Sequence, residues 1–307
     1  MEKEPLLKVA GLKQYFRINR HFTVKAVDDV SFEVYPGEIY GLVGESGSGK
    51  STIGRTVIRL YKPTEGRIEF EGMDISGPMD AKTEEALHTK MQMIFQDPVA
   101  SLNPRKKVLD IVAQGLDIHG LVTSRSERED RVADMLRKVG LAQEHITRYP
   151  HQFSGGQRQR IGIARALIMD PDLIIADEAI SALDVSVQAQ VVNLMKRIQQ
   201  ETGMAFIFIA HDLSMVKYLC SRIGVLHYGH IVETGTSEEI FGNPVHPYTR
   251  SLLSANPSPN PKVARTRKIL HYDYATSGID YNEGALRDAG GTHRVLATEE
   301  EFYQWTH

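Results

Sequence analysis

The chain has 307 residues, enough for one large domain or two ordinary ones, and 41% hydrophobic with 24% charged residues fits a soluble globular protein and excludes a disordered one. A net charge of −3, from 36 Lys+Arg against 39 Asp+Glu, lacks the basic excess of a protein that wraps nucleic acid, so no nucleic-acid partner is expected. A single cysteine, Cys220, cannot form an internal disulfide or a thiolate cluster; it reads as a small buried apolar residue in a reducing compartment. The opening MEKEPLLKVAGLKQYF does not read as a signal peptide, and no apolar run reaches the length of a membrane span. Any membrane role is therefore expected to come through a partner.

Residues 5 to 44 alternate as short strands around the turn Pro36-Gly37, ending in EIYGLVG. Glycines interrupt at 44–49, and Lys50–Leu60 has helical spacing. Gly66–Phe70 and Gly72–Ile75 read as a small hairpin, and Met91–Phe95 as a short strand. From Asp97 to about Tyr149 the periodicity is helical throughout, which predicts a helical insert. Arg158–Met169 reads as a helix, Asp172–Ala176 as a strand covered on both faces, Val185–Glu201 as a helix, Ala205–Ala210 as a strand and Ser214–Cys220 as a helix. Repeated strand–helix units predict an α/β fold with a largely parallel sheet. Asn256–Pro261 reads as a proline-rich linker, and the segment from Lys262 onward is weakly patterned.

Three motifs carry chemistry. Gly44-Glu45-Ser46-Gly47-Ser48-Gly49-Lys50-Ser51, followed by Thr52, matches the P-loop pattern between a predicted strand and a predicted helix. Glycines let several N–H groups face one point, and the following helix adds its positive end, so the loop is an anion cradle. Lys50 is placed to reach β and γ phosphates, and the Ser51 hydroxyl to ligate Mg²⁺. A glycine-rich tight turn without a ligand is the alternative. The second motif is the apolar strand ending in Asp177-Glu178, where Asp177 could hold the metal and Glu178 act as general base toward water. An acidic strand end in solvent is its bland alternative. In the third, Phe153-Ser154-Gly155-Gly156-Gln157 precedes a helix and forms a second anion site, which reads as serving another chain's nucleotide rather than as an ordinary cap.

Together these motifs resemble the nucleotide-binding subunits of ABC transporters over roughly residues 5 to 255. The resemblance implies a P-loop NTPase core with an N-terminal antiparallel subdomain and a helical insert at about 97–155. It also implies ATP with Mg²⁺. Ser154, Gly155, Gly156 and Gln157 resemble the signature loop that contacts the partner's nucleotide, and Gln96 resembles the Q-loop residue that senses the metal. Asp184, in Ser181-Ala182-Leu183-Asp184, resembles the D-loop, His211 the switch histidine, and Phe16 the aromatic that stacks on adenine, with Tyr15 or Phe22 as substitutes. One departure stands out: where the family has proline after the catalytic Glu, this chain has Ala179.

Residues 240–261, centred on His246-Pro247-Tyr248, resemble the segment that follows the core in oligopeptide and dipeptide importer ATPases. That implies import of such peptides driven by a pair of related ATPase subunits, here a heterodimer, docked on two transmembrane permease subunits at the cytoplasmic face of the membrane. A peptide-binding receptor outside would select cargo. Relatives with C-terminal cysteines hold an iron–sulfur cluster; with none after Cys220, no such cluster is expected, and 262–307 is an extension without an assigned role. The alternatives are an importer for nickel or sugar and, further off, a soluble ABC ATPase acting on ribosomes or DNA. A small-molecule kinase would explain the P-loop but leave SGGQ unexplained.

Overall fold

The computed structural model describes residues 4–255 and 269–307, so the predicted linker Asn256–Pro261 lies outside the described residues. Its strands in chain order are β1 (Leu7–Arg17), β2 (Thr23–Val34), β3 (Ile39–Val43), β4 (Glu65–Phe70), β5 (Met73–Asp74), β6 (Met91–Ile94), β7 (Leu173–Asp177), β8 (Ala205–Ala210), β9 (Arg222–His227), β10 (His230–Thr236), β11 (Ala285–Gly290) and β12 (His293–Ala297). The chain divides into two units, one holding residues to Tyr35, Ile39–Gly77 and Phe208–His307, the other Pro36–Glu38 and Pro78–Ile207.

In the first unit an antiparallel sheet runs in the order β2-β1-β4-β5. Alternation explains it: Val30, Phe32 and Val34 of β2 turn inward while Asp29 and Ser31 face out, and Leu7 of β1 pairs with both Val34 and Phe70. The same unit contains a mixed array. β3 pairs in parallel with β9, β9 antiparallel with β10, β10 with β12, and β12 with β11. β3 is buried along its whole length, as a strand covered on both faces must be. Cys220 is the small buried residue expected, its sulfur lying where a side chain on Gly41 would meet it.

The second unit pairs β6 and β7 in parallel, Met91 opposite Leu173 and Ile94 opposite Ala176. Its long helix, Val185–Thr202, buries Val191, Val192, Leu194, Met195 and Ile198. That i, i+3, i+4, i+7 spacing forms one apolar stripe, each buried aliphatic contributing about 1.5–3 kcal/mol. Gly203 stops the helix in the left-handed conformation, donating its N–H to Gln199 O at 2.8 Å. Between β6 and β7 lie helices Pro98–Ser101, Val108–Val112, Gln114–Ile118, Arg125–Lys138 and Gly155–Leu167. No strand occurs among the described residues of this stretch, as the helical periodicity predicts. β8 is buried throughout, and the boundary between the units falls within it.

Two expectations need correction. The helix predicted to begin at Arg158 begins at Gly155, because Ser154 and Gln157 cap it reciprocally and draw both glycines into its first turn. The weakly patterned tail also has structure: a hairpin of β11 and β12 and a helix over Glu299–Thr306. The tail's hairpin is anchored by two carboxylates. Glu233 Oε1 bonds His293 Nε2 at 2.7 Å, and Glu239 accepts from the Thr292 N–H and hydroxyl.

Candidate nucleotide site

β3 ends at Val43, and the chain runs through residues 44–49 into the helix Lys50–Val57. Val43 pairs with Val225 of β9, so the loop stands at the carboxyl ends of two parallel strands, where open α/β sheets bind ligands. Gly44, Gly47 and Gly49 take φ of 151°, 82° and 109°. Added side chains at Gly44 and Gly49 would stand 2.1 Å from Leu226 O and 2.3 Å from Ala26 O. Only glycine fits there. Lys50 is buried, and its Nζ donates to Gly44 O at 2.8 Å and Glu45 O at 2.7 Å and lies 3.3 Å from Ser48 Oγ. The ammonium therefore sits inside the curve of its own loop. No acidic residue occupies the first turn of the helix, so the positive end of its dipole is not neutralised from within. Ser51 and Thr52 are half-buried in that first turn.

Phe16 is half-buried in β1, its ring edge-on to Tyr61 at 5.3 Å. Of the two substitutes, Tyr15 gives its hydroxyl to Asp28, and burial together with that carboxylate raises its phenol above the ordinary value; Phe22 is exposed beside the β1–β2 turn. His211 follows β8 directly and is exposed in the first unit. The next residue, Asp212, caps the helix Leu213–Leu219 by accepting from Ser214 N–H at 2.8 Å.

The second unit holds the carboxylates. Asp177 is the last residue of β7 and 1% exposed, and Glu178 follows it with φ of 47°. A left-handed glutamate is uncommon and marks a position that the surroundings over-determine. Here they do: Glu178 O accepts from both the N–H and the hydroxyl of Ser181, and Ile180 O accepts from Leu183 N–H and Gln188 Nε2. Because β6 and β7 run side by side in the same direction, the residues just past their ends meet. Gln96 Nε2 donates to Glu178 Oε2 at 2.8 Å.

Ser154, at the N-terminus of the helix Gly155–Leu167, accepts from Gln157 N–H and donates its own N–H to Gln157 Oε1 at 3.0 Å. Ser154 and Gly155 are exposed, as are Asp184 and Val185. A side chain on Gly156 would stand 2.3 Å from Val187 Cγ1, so the SGGQ turn and the start of the 185–202 helix are packed against each other.

Sequence reasoning gave Tyr248 no chemistry, yet its buried hydroxyl accepts a hydrogen bond from Glu45 N–H of the P-loop at 3.0 Å. The two residues are 203 positions apart, and no local pattern could have announced the contact.

A family model described as ABC transporter matches residues 27–181, and one described as oligopeptide/dipeptide transporter, C-terminal region, matches residues 232–277. The chain is 56% identical over 300 residues to the oligopeptide transport ATP-binding protein OppF of Bacillus subtilis (strain 168), covering 97% of this chain and 98% of that protein. It is 52% identical to the dipeptide transport ATP-binding protein DppF of Lactococcus lactis, covering 98% and 96%. Among solved structures, the ATP-binding cassette MJ0796 in a dimeric post-hydrolysis state bound to ADP and Pi superposes with a TM-score of 0.69 at 28% identity, over 75% of this chain and 98% of that one. The chain belongs to the family of ABC transporter ATP-binding proteins, in its oligopeptide and dipeptide transport branch.

Proposed function

We propose that the chain is the ATP-hydrolysing subunit that drives import of oligopeptides or dipeptides across the cytoplasmic membrane. The observation that carries the hydrolytic part is the Gln96–Glu178 hydrogen bond at the ends of β6 and β7, beside the buried Asp177. The match of residues 232–277 to the peptide-transporter region, together with the full-length relatives, supports the peptide cargo over nickel or sugar.

In this reading the glycines of residues 44–49, the Lys50 ammonium, and Ser51 and Thr52 hold the triphosphate of ATP. Ser51, Gln96 and Asp177 would hold Mg²⁺, whose charge assists departure of the γ-phosphoryl group; hydroxyl, amide and carboxylate oxygens suit that hard cation. Glu178 takes the proton of the attacking water, and Gln96 orients its carboxylate. His211 contacts the γ-phosphate, and Phe16 stacks on adenine. Ser154, Gly155 and Asp184, which are exposed, and Gly156 and Gln157, which are half-buried, face the nucleotide and D-loop of a second, related ATPase subunit.

Among the described residues no helix is long and apolar enough to cross a membrane. The work is accordingly delivered to two transmembrane permease subunits at the cytoplasmic face, and a receptor on the far side selects the peptide. In cells whose only copy of the gene encodes Lys50→Ala, uptake of labelled di- and oligopeptides should fall to background while sugar and nickel uptake persist. Undiminished peptide uptake with loss of either other cargo would overturn the peptide assignment.

A further inference from the structure

We propose that Tyr248 is a positioning residue of the ATP site, and that the C-terminal extension holds it there, so that residues 270–305 and the P-loop respond to each other. This rests on reading residues 44–51 as the phosphate-binding loop.

Glu45 is gripped from two sides. Its N–H donates to Tyr248 Oη at 3.0 Å, and its carbonyl accepts from Lys50 Nζ at 2.7 Å. Tyr248 is thus one peptide unit away from the ammonium. The ring of Tyr248 is 1% exposed and stacks on His227 with centroids 3.9 Å apart. His227 ends β9 and follows Leu226, whose carbonyl is the group that closes on Gly44. One strand end therefore presses on the first glycine of the loop and also backs the tyrosine that holds the second residue.

The far side of this stack is built from the extension. His227 Nδ1 and the Tyr281 hydroxyl share a 2.6 Å hydrogen bond, and Tyr281 lies 3.3 Å from the Tyr272 hydroxyl. Tyr272 is edge-on to Tyr248, centroids 5.8 Å apart. His246, two residues before Tyr248, accepts Tyr248 N–H on Nδ1 at 3.1 Å and meets the ring of Trp305 edge-on at 4.9 Å. Arg250, on the helix Pro247–Ala255 that also carries Tyr248, donates to Trp305 O at 2.8 Å. A side chain that only filled space would need neither the hydroxyl aimed at a P-loop N–H nor a hydrogen-bonded relay behind it. Removing the hydroxyl leaves Glu45 N–H without its acceptor and lets the peptide that Lys50 leans on shift. Coupling of this kind is reciprocal, so nucleotide at the loop must also be felt at the extension.

Trp305 is the chain's one tryptophan and reports on the extension directly. In the purified full-length chain, ATP titration should change Trp305 fluorescence with the same midpoint as equilibrium binding of a fluorescent ATP analogue. Tyr248→Phe keeps the ring and should raise both midpoints by about three- to ten-fold, the size of one lost hydrogen bond. Tyr281→Phe should raise them in the same direction by less, and Tyr303→Ala, on the exposed face of the last helix, should not. A merely structural tyrosine would lower the melting temperature of Tyr248→Phe and leave both midpoints at the wild-type value; that result overturns the proposal, as does a wild-type chain whose Trp305 signal ignores ATP. Lys50→Ala tests the reading beneath: if it binds nucleotide as wild type does, residues 44–51 are not the phosphate loop and the proposal falls with that reading.

Discussion

At Gly47 an added side chain meets nothing within 4 Å, whereas at Gly44 and Gly49 it meets backbone oxygen at 2.1 and 2.3 Å. All three have φ values that side chains disfavour, so conformational strain is common to them and steric overlap separates them. Gly47→Ala should cost about 1 kcal/mol of unfolding free energy from strain alone. Gly44→Ala and Gly49→Ala should cost about 1–3 kcal/mol more, because backbone oxygen cannot turn aside as a side chain can. Urea unfolding of the three variants checks the order. The same residue-level reasoning applies at Ala179. The family's proline would restrict the backbone there, but here Ser181 already fixes the turn through two hydrogen bonds to Glu178 O. Ala179→Pro should therefore leave steady-state ATP hydrolysis unchanged or several-fold lower. A rate raised by orders of magnitude would show that alanine loosens the aim of Glu178.

At the scale of elements, β9 and the segment after β10 bury two histidines against tyrosines. Burial lowers His227 to about 4 and His246 to about 3, and His230 is lowered as well. These side chains are neutral in the folded chain, while in the unfolded chain they titrate near 6.5. Above that pH both states are neutral and the stability is complete. Below it the unfolded state takes up protons that the fold refuses, so stability declines from about pH 6.5 toward 4. Each pH unit in that window costs about 1.4 kcal/mol for each of His227 and His246. Urea midpoints measured between pH 7 and 5 should fall accordingly, and His227→Phe should flatten the slope by close to one proton. A slope that is the same in both proteins would contradict the burial of a neutral His227.

The P-loop, the Asp177-Glu178 strand end and the SGGQ turn are contiguous patterns whose chemistry depends on neighbours in the chain, so strand–loop–helix order sufficed. The β9–β10 hairpin, by contrast, turns on Tyr228-Gly229, with φ of 43° and 82°. Both positions are left-handed, as a tight two-residue hairpin demands, but tyrosine is a rare occupant where asparagine or glycine would have been a signal. The β11–β12 hairpin was illegible for another reason. β11 is largely exposed, Leu286 included, so ALRDAG has no inward face to show as alternation. Its partner β12 buries His293, Val295 and Ala297 in alternation, but His293 bonds Glu233, 60 residues away, a partnership that no local pattern encodes.

At the scale of the whole molecule, the two units divide the expected chemistry. The first carries the phosphate loop, His211 and the peptide-transporter segment, and the second carries Gln96, Asp177, Glu178 and the SGGQ turn. On the proposed function, the exposed Ser154, Gly155 and Asp184 serve a second ATPase subunit. The proposed coupling is of ATP hydrolysis to peptide import. It is tested most directly by ATP hydrolysis of the complete complex in liposomes, with and without peptide-loaded receptor, wild type against Glu178→Gln. Loaded receptor should stimulate the wild type, and Glu178→Gln should lose activity by about 10²-fold or more while still binding ATP. Hydrolysis indifferent to every peptide-loaded receptor, or undiminished in Glu178→Gln, would contradict it.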